Sequence, residues 1–119
     1  MQNNYEKGKL SEKIACKFLL ENNFSIIQKN WRHGKRGEID LVVRDNKTSE
    51  LVFVEVKSRT TSIDEAKELV TKAKQKQIIN LAKAFLSSYS KQKTRCRFDV
   101  IAIMIKNNKA KLEHIKSAF

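Results

Sequence analysis

Four charged residues interrupt two apolar stretches in the segment GEIDLVVRDNKTSELVFVEVK, namely Glu38, Asp40, Glu55 and Lys57. Carboxylates that lie close together repel each other unless a cation lies between them. Carboxylate oxygens are preferred ligands of Mg²⁺, and the bound ion can polarise a phosphate and activate a water. A nearby lysine can orient that water or neutralise developing charge. These residue types indicate either metal-dependent phosphodiester hydrolysis or a solvated ion-pair cluster on an exposed strand.

The residues around these charges predict a β-hairpin with strands at 38–45 and 50–58 and a polar turn over Asn46–Ser49. This register places Asp40 directly opposite Glu55. Two residues farther from the turn, it places Glu38 opposite Lys57. All four charges are therefore expected on one face, at the end of the hairpin away from the turn. The other face is predicted to be core and carries Ile39, Leu41, Val43, Val52, Val54 and Val56.

The flanking sequence predicts the elements that support this hairpin. Residues 4–22 have the apolar spacing of a helix, and residues 24–27 indicate a short strand. A long helix is predicted from about residue 64 to 89, followed by strands at 97–105 and 110–116. This helix can cross over between two parallel strands. The predicted fold is α/β, with a mixed β-sheet flanked by helices and the order α-β-β-β-α-β-β.

The sequence KNWRHGKRG before the hairpin predicts a mobile basic loop, because it combines glycines with several cations. The absence of a Cβ at Gly37 would allow a substrate backbone to approach Glu38 and Asp40. Trp31 is interpreted as a packing residue, with stacking on a base as the alternative. The candidates for gripping phosphates are Lys29, Arg32, Lys35, Arg36, Arg59 and Lys74.

The charge balance favours a polyanionic partner. The chain has 25 Lys+Arg against 13 Asp+Glu, a formal net charge of +12. Such an excess favours association with polyanions, of which nucleic acid is the first candidate. An anionic membrane surface is the second, but no basic amphipathic helix supports it and we expect no membrane partner. A basic protein without any polyanionic partner is the remaining alternative.

Length and cysteine usage indicate a single domain over residues 1–119 in a reducing compartment. Cys16 and Cys96 lie far apart and match no metal-binding spacing, as expected of reduced thiols. The first residues are polar, without an apolar stretch of signal-peptide type. The longest apolar run, residues 100–105, is too short to span a bilayer. We expect a cytoplasmic, soluble protein.

The motif resembles the PD-(D/E)xK nuclease superfamily, through Asp40 and the Glu55-Val56-Lys57 sequence on the next strand. More closely, NWR, GEIDLVV, LVFVEVKSR and RFDV resemble the YraN-like bacterial proteins, a group related to Holliday-junction resolvases. The resemblance spans nearly the whole chain. A bare D…ExK occurs by chance, whereas GEIDL joined to VFVEVKSR at this separation is specific. Ile39 stands where the superfamily name has proline, a departure common in that superfamily.

This resemblance implies a restriction-endonuclease-like core with a Mg²⁺ or Mn²⁺ site. It implies metal ligation by Asp40, Glu55 and the Val56 carbonyl, with Lys57 as the catalytic lysine. Glu12 on the first helix would be a further ligand through water, or else one more solvated helix charge.

Other polar residues are assigned through the same resemblance. Glu38 either pairs with Lys57 or a basic neighbour, or takes part in catalysis. The helix after the Glu-x-Lys strand often supplies a polar residue to the site in this superfamily. Lys74, Gln75 and Gln77 are the candidates here, and the sequence does not choose among them.

Asp99 is the other acidic residue within an apolar strand. We interpret it as structural, paired with Arg59 or Arg97, rather than catalytic.

The leading hypothesis is a metal-dependent endonuclease-like protein that hydrolyses DNA, including branched or structured DNA. The alternative is a DNA-binding or accessory protein that keeps the fold without cutting. A third is a plain structural ion cluster in a protein with a protein partner. Because related resolvases work in pairs, the resemblance also raises a homodimer as an expectation.

Overall fold

The computed structural model describes residues 4–89 and 93–119, except for the side chains of residues 4–7. A 3₁₀ turn separates the first two strands. In chain order the elements are α1 (Asn4–Glu21), β1 (Phe24–Arg32), the 3₁₀ turn (Gly34–Arg36), β2 (Glu38–Asp45), β3 (Leu51–Arg59), α2 (Ile63–Glu68), α3 (Lys72–Tyr89), β4 (Cys96–Lys106) and β5 (Lys109–Ile115).

The strands form one mixed sheet in the order β1-β2-β3-β4-β5. β3 and β4 pair in parallel, whereas the neighbours β1 with β2, β2 with β3 and β4 with β5 pair antiparallel. The helices α2 and α3 make the crossover that a parallel pair requires. The predicted α/β fold with helices flanking a mixed sheet is confirmed, and it is consistent with a restriction-endonuclease-like core.

Each face of the sheet is covered by a helix, which produces two hydrophobic cores. On one face α1 buries Ala15, Cys16 and Leu19, whose spacing puts them on one helical stripe. On the other face α3 buries Leu81, Ala82 and Phe85. The hairpin contributes to both cores, with Leu41, Val43, Val52, Val54 and Val56 toward α1 and with Ile39, Val42, Leu51 and Phe53 toward α3.

The predicted hairpin register is confirmed over the residues that pair, from Leu41 with Val54 to Arg44 with Leu51. The predicted core face of the hairpin is confirmed for Leu41, Val43, Val52, Val54 and Val56, but it is wrong for Ile39. Ile39 packs in the α3 core, away from Leu41.

β1 is longer than predicted and includes the first four residues of the expected basic loop, 29–32. It pairs with β2 from Phe24 opposite Asp45 to Arg32 opposite Glu38, with an irregularity between Ile26 and Gln28. The pairing partner supplied by β2 outweighs the weak strand propensity of this polar stretch. Only the residues between His33 and Gly37 leave the sheet, and the His33 amide donates to the Gly37 carbonyl across them at 3.0 Å.

The crossover consists of two helices rather than the single long helix predicted. The break falls at residues 69–71, where Val70 is buried and Thr71 immediately precedes α3. The Thr71 hydroxyl accepts from the Lys74 amide at 3.2 Å, as an N-cap residue does. Within residues 4–89 and 93–119, none of these helices has the length and apolar character needed to cross a membrane.

Asp99 forms a buried charge network at the turn end of the hairpin. Its side chain is fully buried and accepts from Arg97 at 2.9 and 3.1 Å. Arg97 also donates to Asp45 at 2.9 Å and to Glu50 at 3.0 Å. Burial alone would raise the pKa of Asp99, but hydrogen bonds with His114 and Arg97 hold it below its usual value. The predicted structural role of Asp99, with Arg97 as its partner, is confirmed.

We expect Arg97→Met to lower the free energy of unfolding by about 3–5 kcal/mol, because it leaves buried carboxylates without their cation. Arg95→Met is the matched control, since Arg95 is exposed on the same part of the chain. Denaturant unfolding followed by circular dichroism measures both. Equal stabilities of the two variants would contradict the assigned role of Arg97.

Candidate active site

The two central strands part at the end of the hairpin away from the turn. The antiparallel ladder between β2 and β3 ends at Leu41 and Val54. Beyond that point the Asp40 carboxylate accepts a hydrogen bond from the Val56 amide at 2.8 Å, in place of a backbone partner. We call this point the strand fork, formed by Asp40 and Val56. The hydrogen bond fixes the Asp40 carboxylate beside the backbone of the Glu55-Val56-Lys57 motif.

Three carboxylates gather on the α1 side of the strand fork. Oxygens of Glu12, Glu38 and Asp40 lie within 4.8 Å of one another. The buried stripe of α1 presses that helix onto the sheet and so brings Glu12 to the end of β2. Asn30 donates to Glu12 at 3.1 Å, and Arg32 pairs with Glu38 at 3.4 Å. The alternative in which Glu38 pairs with a basic neighbour is thus realised, and that neighbour is Arg32.

The pKa of Asp40 is the clearest electrostatic signature of the site. Burial, followed by the negative charge of Glu55, raises it from 3.8 to about 7. The hydrogen bond from the Val56 amide and the charge of Lys57 act in the opposite direction without cancelling this rise. Lys57 and the Val56 amide therefore do not fully offset the negative charge of Asp40 and Glu55 at the strand fork.

Glu55 reaches the strand fork from the α3 side. Val54 and Val56 point into the α1 core, so the side chain between them points to the opposite face. Its Oε1 atom lies 3.1 Å from the Lys57 ammonium and 3.8 Å from that of Lys74. Its Oε2 atom is buried and has no hydrogen-bond partner among the described residues. Only 2% of the Glu55 side chain is exposed, so this oxygen is shielded from bulk solvent.

The expectation that all four charges share one face rested on a longer β2–β3 ladder than the structure has, and it stays a prediction. It extended the ladder beyond Leu41 and Val54, where the strands no longer pair. Asp40 lies with Glu12 of α1, whereas Glu55 pairs with Lys74 of α3. The two carboxylates still interact, since the charge of Glu55 contributes to the raised pKa of Asp40.

A cleft of roughly 470 Å³ opens onto this group from the α1 side. It brings together three candidate residues that sequence analysis assigned from separate elements, Glu12, Asp40 and Lys57, with the phosphate-binding candidate Arg59. About 30% of the Lys57 side chain is exposed, so it contacts Glu55 while remaining accessible. The complete lining is Gly8, Ser11, Glu12, Asp40, Val56, Lys57, Ser58, Arg59 and Leu69.

Among the three polar candidates on the crossover helix, Lys74 approaches the Glu55-Val56-Lys57 motif through Glu55. Gln75 instead donates to the Val70 carbonyl at 3.2 Å and secures the break between α2 and α3. Sequence spacing could not separate these neighbours, because the exact start of α3 decides which of them faces β3.

Gln77 lies at the 3₁₀ turn, where it donates to the Arg36 carbonyl at 3.0 Å. Gly37 has a φ of +130°, and a Cβ there would lie 2.5 Å from the Gln77 side-chain nitrogen. Glycine is thus required for the close approach of α3 to the turn. The expected role of Gly37 in admitting a substrate backbone stays a prediction, and the structure adds this packing role.

The remaining basic candidates surround the site at the surface. Lys29 and Arg32 are exposed on β1, and Lys35 and Arg36 are exposed on the 3₁₀ turn. Asn30, which donates to Glu12, was not among the predicted site residues. A polar residue inside a strand gave no signal of that contact, although asparagine is among the residues that tolerate its positive φ of 51°.

Comparison with known proteins adds a family to this geometry. The model of the family described as "Uncharacterised protein family UPF0102" matches residues 11–103, which include every candidate site residue. The chain belongs to the UPF0102 family. This is the YraN-like group that the GEIDL and VFVEVKSR motifs resemble, a group of PD-(D/E)xK nuclease type.

Relatives match almost end to end. A UPF0102 protein of Chlorobium phaeobacteroides is 43% identical over 122 residues, covering 97% of this chain and 94% of the relative. One from Natranaerobius thermophilus is 43% identical over 121 residues, covering 98% and 99% respectively. One from Geotalea daltonii is 44% identical over 114 residues, covering 94% and 87%. No solved structure matches the chain significantly.

We expect Asp40→Asn to stabilise the metal-free protein increasingly as pH rises. The folded-state pKa of Asp40, about 7, lies above its value in the unfolded chain. Folding therefore favours the protonated form, and the wild type loses stability between about pH 4 and pH 8 as that proton leaves. The uncharged amide avoids the loss, so the two free energies of unfolding should separate by on the order of 2–4 kcal/mol at the alkaline end.

Denaturant unfolding in the presence of a chelator measures this difference. Asp64→Asn is the matched control, since the Asp64 side chain is 88% exposed. Parallel pH profiles for the wild type and Asp40→Asn would contradict the raised pKa.

Proposed function

We propose that this protein is a Mg²⁺-dependent endonuclease-like enzyme that hydrolyses phosphodiester bonds in DNA, including branched or structured DNA. The observation that carries the proposal is the pair of acids at the strand fork. Asp40 has a pKa raised to about 7, and the buried Glu55 keeps one oxygen without a partner. Both features leave a need for positive charge at the point where the Glu-x-Lys motif lies.

The residues present fit a hard divalent cation. Asp40, the free oxygen of Glu55 and the Val56 carbonyl offer oxygen ligands of the kind that Mg²⁺ and Mn²⁺ accept. Glu12 and Glu38, close to Asp40, would hold metal-bound waters. When bound, the ion would polarise the scissile phosphate and lower the pKa of a water.

Lys57 has two tasks in this scheme. Its contact with Glu55 Oε1, at 3.1 Å, orients that carboxylate and leaves Oε2 free. Its partly exposed ammonium faces the cleft, where it can orient the attacking water and neutralise charge that develops on the phosphate. Lys74 supports the same Glu55 oxygen from α3 and acts as a positioning residue.

The substrate class follows from charge. A net charge of +12 favours a polyanion, and Arg59 stands in the same cleft as Asp40 and Lys57. Lys29, Lys35 and Arg36 are exposed and available for phosphates on either side of the bond that is cut. DNA is thereby the proposed partner, and Mg²⁺ or Mn²⁺ the proposed cofactor.

The test is incubation of purified protein with supercoiled and four-way-junction DNA, with Mg²⁺, with Mn²⁺ or with a chelator. We expect metal-dependent cleavage that falls by about 100-fold or more in Lys57→Ala and in Asp40→Asn. Lys76→Ala is the matched control, because Lys76 is exposed on α3 and contributes to neither the cleft nor the acid group. Lys76→Ala removes one positive charge, as Lys57→Ala does, but it leaves the site unchanged.

DNA binding, measured in parallel on the same variants, distinguishes cleavage from binding without cleavage. Failure of the wild type to cleave either DNA, with salt-dependent binding unchanged in the variants, would overturn the proposal and favour a non-cleaving DNA-binding or accessory function.

A further inference from the structure

A second cleft lies on the α3 side of the sheet, between the 3₁₀ turn and α3. Its volume is roughly 680 Å³, within the range of pockets that hold small organic groups. Of its lining residues, the proposed nuclease function uses only Arg36, as a phosphate contact. We call it the turn–α3 cleft, and its lining is His33, Arg36, Gln77, Asn80, Leu81, Lys83 and Ala84.

The charges of the turn–α3 cleft suit an anion. Arg36 and Lys83 lie at its surface and are exposed. None of the described lining residues is acidic, in contrast to the cleft at the strand fork. A phosphate entering here would meet cations without carboxylates competing for them.

One wall of the turn–α3 cleft is a ring held in a fixed orientation. The imidazole of His33 stacks on Trp31, with 5.5 Å between ring centroids and 11° between planes. Trp31 in turn packs edge-on against the buried Phe85 at 5.3 Å. A ring supported in this way offers a flat surface on which a nucleobase can stack.

The adjoining helix supplies amide groups. Asn80 follows Gln77 by one turn of α3, so both lie on the face that lines the cleft. Gln77 uses its side-chain nitrogen on the Arg36 carbonyl, which leaves its oxygen as an acceptor. Asn80 is exposed and presents both a donor and an acceptor. Amides of this kind pair with the edges of unpaired bases.

The turn–α3 cleft and the acid group share one short piece of backbone. Arg36, at the end of the 3₁₀ turn, lines the cleft, and Glu38 and Asp40 follow at the start of β2. The two sites therefore lie on opposite faces of the sheet at the same end. A flexible single strand bends around such a turn more readily than a stiff duplex does.

We propose that the turn–α3 cleft binds one unpaired nucleotide of a single-stranded DNA segment. The base stacks on His33 and pairs with Asn80, and its phosphate contacts Arg36 and Lys83. The proposal deepens the nuclease function and rests on it for the identity of the nucleic acid. It adds a preference for substrates in which a single strand adjoins the bond that is cut.

The experiment measures binding of a labelled short single strand of mixed sequence, and of a blunt duplex of equal length, by fluorescence anisotropy in a chelator. Asn80→Ala should bind the single strand about tenfold more weakly and the duplex as the wild type does, because it removes a base contact without changing charge. His33→Ala should show the same selective loss. His33→Phe, which keeps a flat ring, should restore binding.

Two lysine variants distinguish binding in the turn–α3 cleft from nonspecific electrostatic attraction between DNA and the basic protein. Lys83→Ala should weaken single-strand binding more than Lys76→Ala, although both remove one charge from α3. Unchanged single-strand binding by Asn80→Ala and His33→Ala, or an equal loss for single strand and duplex, would overturn the inference.

Failure of this inference is distinguishable from failure of the nuclease proposal. A wild type that cleaves DNA with Mg²⁺, while Asn80→Ala binds single strands normally, overturns the cleft assignment alone. If the wild type cleaves no DNA but Asn80→Ala selectively weakens single-strand binding, the cleft assignment is supported and the nuclease proposal is overturned.

Discussion

The end of pairing between β2 and β3 is the constraint on which the site depends. Beyond Leu41 and Val54 the strands separate, and the Asp40 carboxylate takes the Val56 amide as its partner. That single contact ties the acid of one strand to the motif of the next. It also opens the gap into which Glu12 reaches from α1 and Lys74 from α3. A continuous ladder would have filled the gap with backbone and left no place for a ligand.

Acids shielded from solvent lie at both ends of this hairpin, Asp99 of the adjacent β4 at the turn end and Asp40 of β2 at the open end, with opposite electrostatic outcomes. At the turn end, Asp99 is fully buried yet has a lowered pKa, because Arg97 and His114 satisfy it. At the open end, Asp40 has a raised pKa, and Glu55 keeps an unpartnered oxygen. Burial is common to both ends, and only the supply of donors differs. The first arrangement stabilises the fold, whereas the second is under-compensated and suits a ligand.

Sequence patterns predicted much of this structure because they report local and periodic preferences. The polar turn and the alternation of apolar residues were enough to obtain the hairpin register, and the charge of Asp99 inside an apolar strand indicated an arginine partner. The point at which pairing stops was beyond such patterns, since it depends on the Asp40 side chain competing for a backbone amide. The contact of Gly37 with Gln77 and the reach of Lys74 likewise depend on how α3 sits on the sheet, a tertiary matter that one-dimensional spacing does not encode.

The parallel ladder of β3 and β4 has a consequence for the order of folding. It joins residues such as Leu51 and Cys96, which are far apart in sequence, so a long loop must close before the ladder forms. The β2–β3 hairpin needs only a short turn and can form early. Lys74 lies on the crossover and meets Glu55 only when α3 docks. We therefore expect the hairpin to bring Glu38, Asp40 and Glu55 together first, with Glu12 and Lys74 joining them only when α1 and α3 dock.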